Sequence, residues 1–219
     1  MADELARSIL SNLGSLKTQR QTWESHWQEV ADFVVPRKAD VTKVRSGGDK
    51  RSELIFDGTA IHAAELLSAS LHGMLTSAAT SWFSLRYRDE ELNTDDEAME
   101  WLQGVEDVMY KAFNRSNFQE QIHELYHDLI TFGTGVMFID ADDQQQLRFS
   151  TRHIKECFLS EDEKGRVDTI YREFKMPLRA AQKRFGSDNF SSKVLQKAQN
   201  NPYAMITLVH AVFERDERD

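Results

Sequence analysis

The sequence predicts an α+β fold, with long helices first and mainly antiparallel strands later. Three observations carry this prediction. Apolar residues recur at three, four or seven positions from Leu5 to Val34 and again between residues 57 and 131. Acidic or hydroxyl residues stand where those helices should begin. After Phe132 short apolar or alternating runs are separated by turn residues. The expected division is a mainly helical region, 1–140, followed by a strand-rich region with short helices, 141–219.

The first helix carries Leu5, Ile9, Leu13, Leu16, Trp23, Trp27, Val30 and Val34 as one apolar stripe. Pro36 disfavours helical geometry at Val35 and should end it. Residues 36–52 are polar and hold Arg37, Lys38, Lys43, Arg45, Lys50 and Arg51 against only Asp40 and Asp49. This local reversal of sign in an acidic chain marks a solvated loop or a contact with phosphate or an acidic partner. A second helix, capped near Asp57 and running to about Thr76, mixes Leu67 and Leu71 with many small residues. Such a composition predicts burial on most sides. Residues 82–88, beginning Trp82-Phe83, alternate and predict a strand.

Thr94-Asp95-Asp96-Glu97 reads as a capping box opening a helix through Phe113, and Ser116–Gln119 as a second box opening a helix to Thr131. Gly133 and Gly135 break that helix before a short buried strand at 136–139. Then come a turn at 142–146, strands at 147–152, 157–159 and 167–174, and a hairpin containing Gly165. Helices from Pro177 to Phe185 and from Ser191 to Gln199 precede a last strand, 205–214.

Composition narrows the function classes. The chain has 219 residues and a formal charge of −9, so it is not a basic nucleic-acid binder as a whole. One cysteine, Cys157, excludes a disulfide framework and a Cys-rich zinc module. It has no Gly-rich phosphate loop, nucleophile elbow, signal peptide or membrane-length apolar run, which predicts a soluble, unexported chain with no cofactor. Cys157 is expected to pack as a small apolar residue, and Asp142-Asp143 to form a turn.

One motif bears on catalysis. His123-Glu124-Leu125-Tyr126-His127 fits H-E-x-x-H, in which two histidines one helical turn apart bind zinc and the glutamate activates metal-bound water. Against a zinc peptidase stand three features. The histidines fall roughly 120–160° from the centre of the Phe118–Ile122–Leu125–Leu129 stripe, which predicts two surface residues. A charged Asp128 follows the motif, and a third ligand is lacking beyond a loose candidate in Glu156. The reading is therefore no catalytic residue and no metal.

Several words in order resemble the head-to-tail connector, or portal, proteins of short-tailed phages. They are the helix with Trp23 and Trp27 ending at Pro36, Gly47-Gly48-Asp49-Lys50-Arg51, and Ile55-Phe56-Asp57-Gly58-Thr59-Ala60. Leu71-His72-Gly73-Met74-Leu75-Thr76-Ser77, Trp82-Phe83-Ser84-Leu85, Trp101-Leu102, Ser116-Asn117-Phe118 and Phe132-Gly133-Thr134-Gly135 follow. The resemblance implies a non-enzymatic ring, typically a dodecamer, at one capsid vertex of the virion, assembled in the host cytoplasm. Double-stranded DNA passes through it without sequence-specific contact, and a net negative ring suits passage because tight phosphate contacts would stall it.

The implied partners are further copies of the chain, major capsid or scaffolding protein, and terminase and tail adaptor. The last two bind clip regions beyond the wing-like part that this chain represents, and stem and crown are likewise expected to be missing. On this view the basic residues of 37–51 are partner contacts, and Trp23, Trp27, Leu67, Leu71, Trp82 and Phe83 pack subunits together. Reversing the charge of Arg45, Lys50 and Arg51 is expected to weaken assembly and spare the fold. A structural domain of some other assembly is the alternative.

Overall fold

The computed structural model describes residues 2–142 and 146–214. Its helices are α1 (Ala2–Val34), α2 (Thr59–Leu75), α3 (Asp96–Arg115), α4 (Phe118–Phe132), α5 (Leu178–Phe185) and α6 (Ser192–Asn200). Its strands are β1 (Val136–Asp142), β2 (Gln146–Arg152), β3 (Cys157–Glu161), β4 (Val167–Pro177) and β5 (Met205–Val212). The class is α+β as expected. The turn read at 142–146 falls largely on 143–145, outside the described residues.

Contacts divide the chain into two compact units, Met1–Gln21 with Glu156–Asp219, and Thr22–Lys155. In the first, β3, β4 and β5 form an antiparallel sheet in that order, with Cys157 opposite Arg172 and Pro177 opposite Met205. Its core joins Leu13 of α1 to Phe158 and Tyr171, flanked by Ile9, Leu16 and Val209. The Arg20 guanidinium lies 3.7 Å from the Phe158 ring centroid, which adds a cation–π contact. Gly165 turns the β3–β4 hairpin at φ 72°, a conformation glycine adopts without strain. Cys157 is buried, as its apolar character requires.

The second unit pairs α2 with α4 and closes α4 against the antiparallel hairpin β1–β2. Phe118, Ile122, Tyr126 and Phe149 form one buried cluster, and Trp27, Ala31, Ala39, Phe132 and Ile154 another. α1 stops at Val34, and Pro36 opens a single 3-10 turn, Pro36–Lys38. Gly133 caps α4 in the left-handed conformation. A Cβ on Gly135 would stand 2.6 Å from Leu125 Cδ1 and 3.2 Å from its carbonyl oxygen, so close packing demands glycine there.

Four local expectations are corrected. Residues 82–88 form no strand: the Trp82 and Phe83 N–H groups each donate to Tyr110 Oη at 2.7 Å, and those of Leu85 and Tyr87 donate to Glu106 and Asn93. Side chains thus occupy positions that a neighbouring strand would take. The cap of α3 is Asp95, accepting from Ala98 N–H at 2.9 Å, rather than Thr94. β1 is only half-buried, because its hairpin has two strands and Ile139 faces outward. Finally, α2 is buried only at Ala64 and Ser68, leaving Leu66, Leu67, Met74 and Leu75 exposed.

Candidate functional site: the basic segment and its carboxylates

The 36–51 segment has no ladder to hold it beyond one 3-10 turn, and side chains do so instead. Gln28, buried on α1, donates to the Ala39 carbonyl at 2.9 Å and to Asp32 Oδ1 at 3.0 Å. Its Oε1 accepts from the N–H groups of Thr42 and Lys43 at 2.9 and 3.2 Å. One amide therefore meets four polar groups of α1 and the segment.

The cations pair in sequence. Lys43 and Arg45 reach Asp32, Arg45 also approaches Asp40 at 3.6 Å, and Arg51 meets Asp40 at 2.9 Å. Arg37 holds Glu124 at 2.8 Å; Lys38 lies 3.2 Å from Glu124 and also contacts buried Asp128. Lys50 alone of the six is exposed with no ion pair among the described residues. The segment, read as an outward-facing basic surface, is internally neutralised at five of its six cations.

The carboxylates respond to their surroundings in opposite directions. Burial raises Asp128 above the ordinary carboxylate range, against the pull of Lys38. Burial also works to raise Glu124 and Asp32, but the cations beside them outweigh it and hold both low. The Arg51 hydrogen bond depresses Asp40. His153 donates Nε2–H to the Lys38 carbonyl at 2.8 Å and accepts at Nδ1 from Lys155 N–H, a fixed neutral tautomer. Burial lowers its pKa, as it does for His127.

The H-E-x-x-H motif is corrected in one respect and explained in another. His127 is 1% exposed, not a surface residue, because α4 is covered on this side by α2. Glu65 of α2 sits 3.3 Å from His127 Nε2 and 3.9 Å from His123 Nε2. Glu124, the residue that would activate water in a peptidase, is engaged by Arg37 and Lys38. An open cleft of about 610 Å³ lies alongside, lined by Arg37, Glu120, His123 and Thr151 among others. Among the described residues no group of three or more His, Cys, Asp or Glu side chains could hold a metal ion. What these ion pairs do is fasten the 36–51 segment to α1 and α4 by charge.

Residues 6–219 match the family described as bacteriophage head to tail connecting protein. The chain belongs to that family. It is 32% identical over 222 residues to the probable portal protein of Bordetella phage BPP-1. It is 33% identical over 221 residues to the portal protein of Salmonella phage epsilon15. Both similarities cover 100% of this chain and 40% of the relative, so the connector chain spans about two-fifths of those proteins' length.

Among the residues expected to pack connector subunits, Trp27 is buried within its own unit. Leu71, Trp82 and Phe83 join the aromatic layer around Phe118 and Tyr110, with Trp82 stacked on Phe118 at 5.5 Å. Trp23 and Leu67 remain exposed, at 60% and 49%. Sequence reasoning missed Gln28, Asp32 and Glu65. Only the Gln28–Asp32 spacing of four on the polar side of α1 hinted at a shared role. No described helix is long and apolar enough to cross a membrane.

Proposed function

We propose that the chain is a structural portal subunit, taking part in a ring at the capsid vertex through which DNA is packaged and ejected and to which the tail attaches. The observation that carries this reading is similarity along the whole chain to two portal proteins. In this reading the ring is a dodecamer of the full-length protein, resident in the virion after assembly in the host cytoplasm. The chain acts as part of the outer wing and has no catalytic role. Its neighbours are further copies and the capsid or scaffolding protein; terminase and tail adaptor engage regions beyond these 219 residues.

Of the residues expected to pack subunits, Trp23 and Leu67 are exposed and available to a neighbouring copy. Of the six cations of the 37–51 segment, Lys50 is exposed with no ion pair among the described residues, available to an acidic shell protein. In this reading 1–140 is the mainly helical, wing-like region and 141–219 a strand-rich region with short helices. The test is co-expression of the chain with the major capsid protein of the same phage. Shells carrying the chain at a single vertex are expected by electron microscopy, and shells that never incorporate it would overturn the proposal.

A further inference from the structure

Two surfaces outside the basic segment carry opposite charge. Between Asp89 and Asp107 nine of nineteen residues are acidic and none is basic. On α3, Glu97, Glu100, Trp101, Gly104, Asp107 and Val108 recur at spacings of three and four, so they share one helical face. All six are exposed, with Trp101 at 63% and Val108 at 64%, and a Cβ at Gly104 would meet nothing within 4 Å. None of these acids forms an ion pair among the described residues.

The second surface lies on α5 and α6. Between Lys175 and Lys197 there are six basic residues and one acidic residue, in a chain of net charge −9. Arg179, Lys183, Lys193 and Lys197 are exposed. They make no ion pair among the described residues; Arg179 reaches only Tyr203 Oη, at 3.5 Å. Backbone bonds from Leu178 and Arg179 N–H to Ala204 and Pro202 carbonyls tie the start of α5 to the chain leaving α6. Aromatic rings stand beside the cations here too, in exposed Phe185 and Tyr203.

We propose that neighbouring copies of the chain associate head to tail, the α3 face of one copy carrying Glu97, Glu100, Trp101 and Asp107 against the basic α5–α6 surface of the next. This rests on the ring-forming reading above. A closed ring needs two different patches that complement each other, since a patch that pairs with itself stops at a dimer. These two patches are opposite in charge, and Trp101 offers a ring face to the guanidinium and ammonium groups opposite. Their charges steer encounter and fix register, with apolar residues such as Trp101 and Val108 at the centre of the contact.

Sedimentation velocity of the full 219-residue chain tests this through charge exchange. One variant carries E97K, E100K and D107K; the other carries R179E, K183E and K197E, and circular dichroism confirms that each folds. Should Lys at 97 disturb the start of α3, E100K with D107K serves alone. The wild-type chain is expected to self-associate, more strongly at low salt. Each variant alone should associate about tenfold or more weakly. An equimolar mixture should regain association, because each reversed face then meets its complement.

A wild-type chain that stays monomeric at millimolar concentration overturns the proposal, as does a mixture no stronger than its separate components. Association unchanged in both variants, with retention of a DNA fragment lost in the α5–α6 variant, would make the basic surface a polyanion site and equally overturn it. Variants that assemble normally and still enter shells would refute this interface while leaving the portal-subunit reading in place.

Discussion

Replacing Lys38 with Met takes the cation away from Asp128, the most buried carboxylate among the described ion pairs, and also from Glu124 at 3.2 Å. The Lys38 side chain is 16% exposed and that of Asp128 2%. Asp128 Oδ2 already lacks a hydrogen-bond partner, so Lys38 is the principal compensation for a buried carboxylate. Breaking such a pair from one side costs about 3–5 kcal/mol. Arg37→Ala removes an exposed partner of Glu124, 54% accessible, and should cost only about 0.2–1 kcal/mol. With a urea m-value of about 2 kcal/mol/M, Lys38→Met should lower the unfolding midpoint by about 1.5–2.5 M.

The loss has a pH signature. Without Lys38 the folded-state pKa of Asp128 rises further, which penalises the ionised form only. The deficit should therefore be full near neutrality and shrink on acidification towards about pH 4. Adding Asp128→Leu should restore most of the stability, since an apolar pair of similar size carries no desolvation cost. A Lys38→Met midpoint no lower than that of Arg37→Ala, or a double variant no better than the single, would refute the reasoning.

Four further outcomes follow from the same geometry. Lys50→Glu should leave the unfolding midpoint unchanged and reduce shell incorporation, whereas Arg45→Glu and Arg51→Glu should lower the midpoint, because they set like charges against Asp32 and Asp40. Burial depresses the pKa of both His127 and His153, so the unfolded chain binds protons first and stability should fall as pH drops below about 6.5; His127→Gln should flatten that slope in a pH series of urea melts. Tyr110→Phe removes an acceptor shared by two N–H groups and should cost about 1–3 kcal/mol, with faster hydrogen exchange at Trp82 and Phe83. Gly135→Ala should cost about 1–3 kcal/mol by overpacking against Leu125, measurable as a lowered thermal midpoint.

Most of the fold was legible because periodicity and punctuation agree. Pro36 ends α1, Gly133 ends α4 and Gly165 turns a hairpin, each through a backbone constraint that is local. The 82–88 segment was misread because alternation measures which side chains are buried, not what the N–H groups bond to. Tyr110 and Glu106 lie more than twenty residues away in sequence, and neither they nor the nearer Asn93 carry a mark of that duty. The basic segment was legible as a charge reversal, but its partners Asp32, Glu124 and Asp128 lie in helices outside residues 36–52. His127 was misplaced because a stripe drawn through Leu125 and Leu129 missed the α2-facing side of α4, where Glu65 and Ser68 bring polar groups inward.

Extended, apolar and unpaired stretches such as Trp82-Phe83-Ser84-Leu85 are templates on which strands of other molecules can be added. Here the phenol of Tyr110 and the carboxylate of Glu106 already occupy three of the amide groups an incoming strand would need. That blockade closes an extended edge to other chains. It removes a route to fibrillar aggregation without adding a strand to the fold.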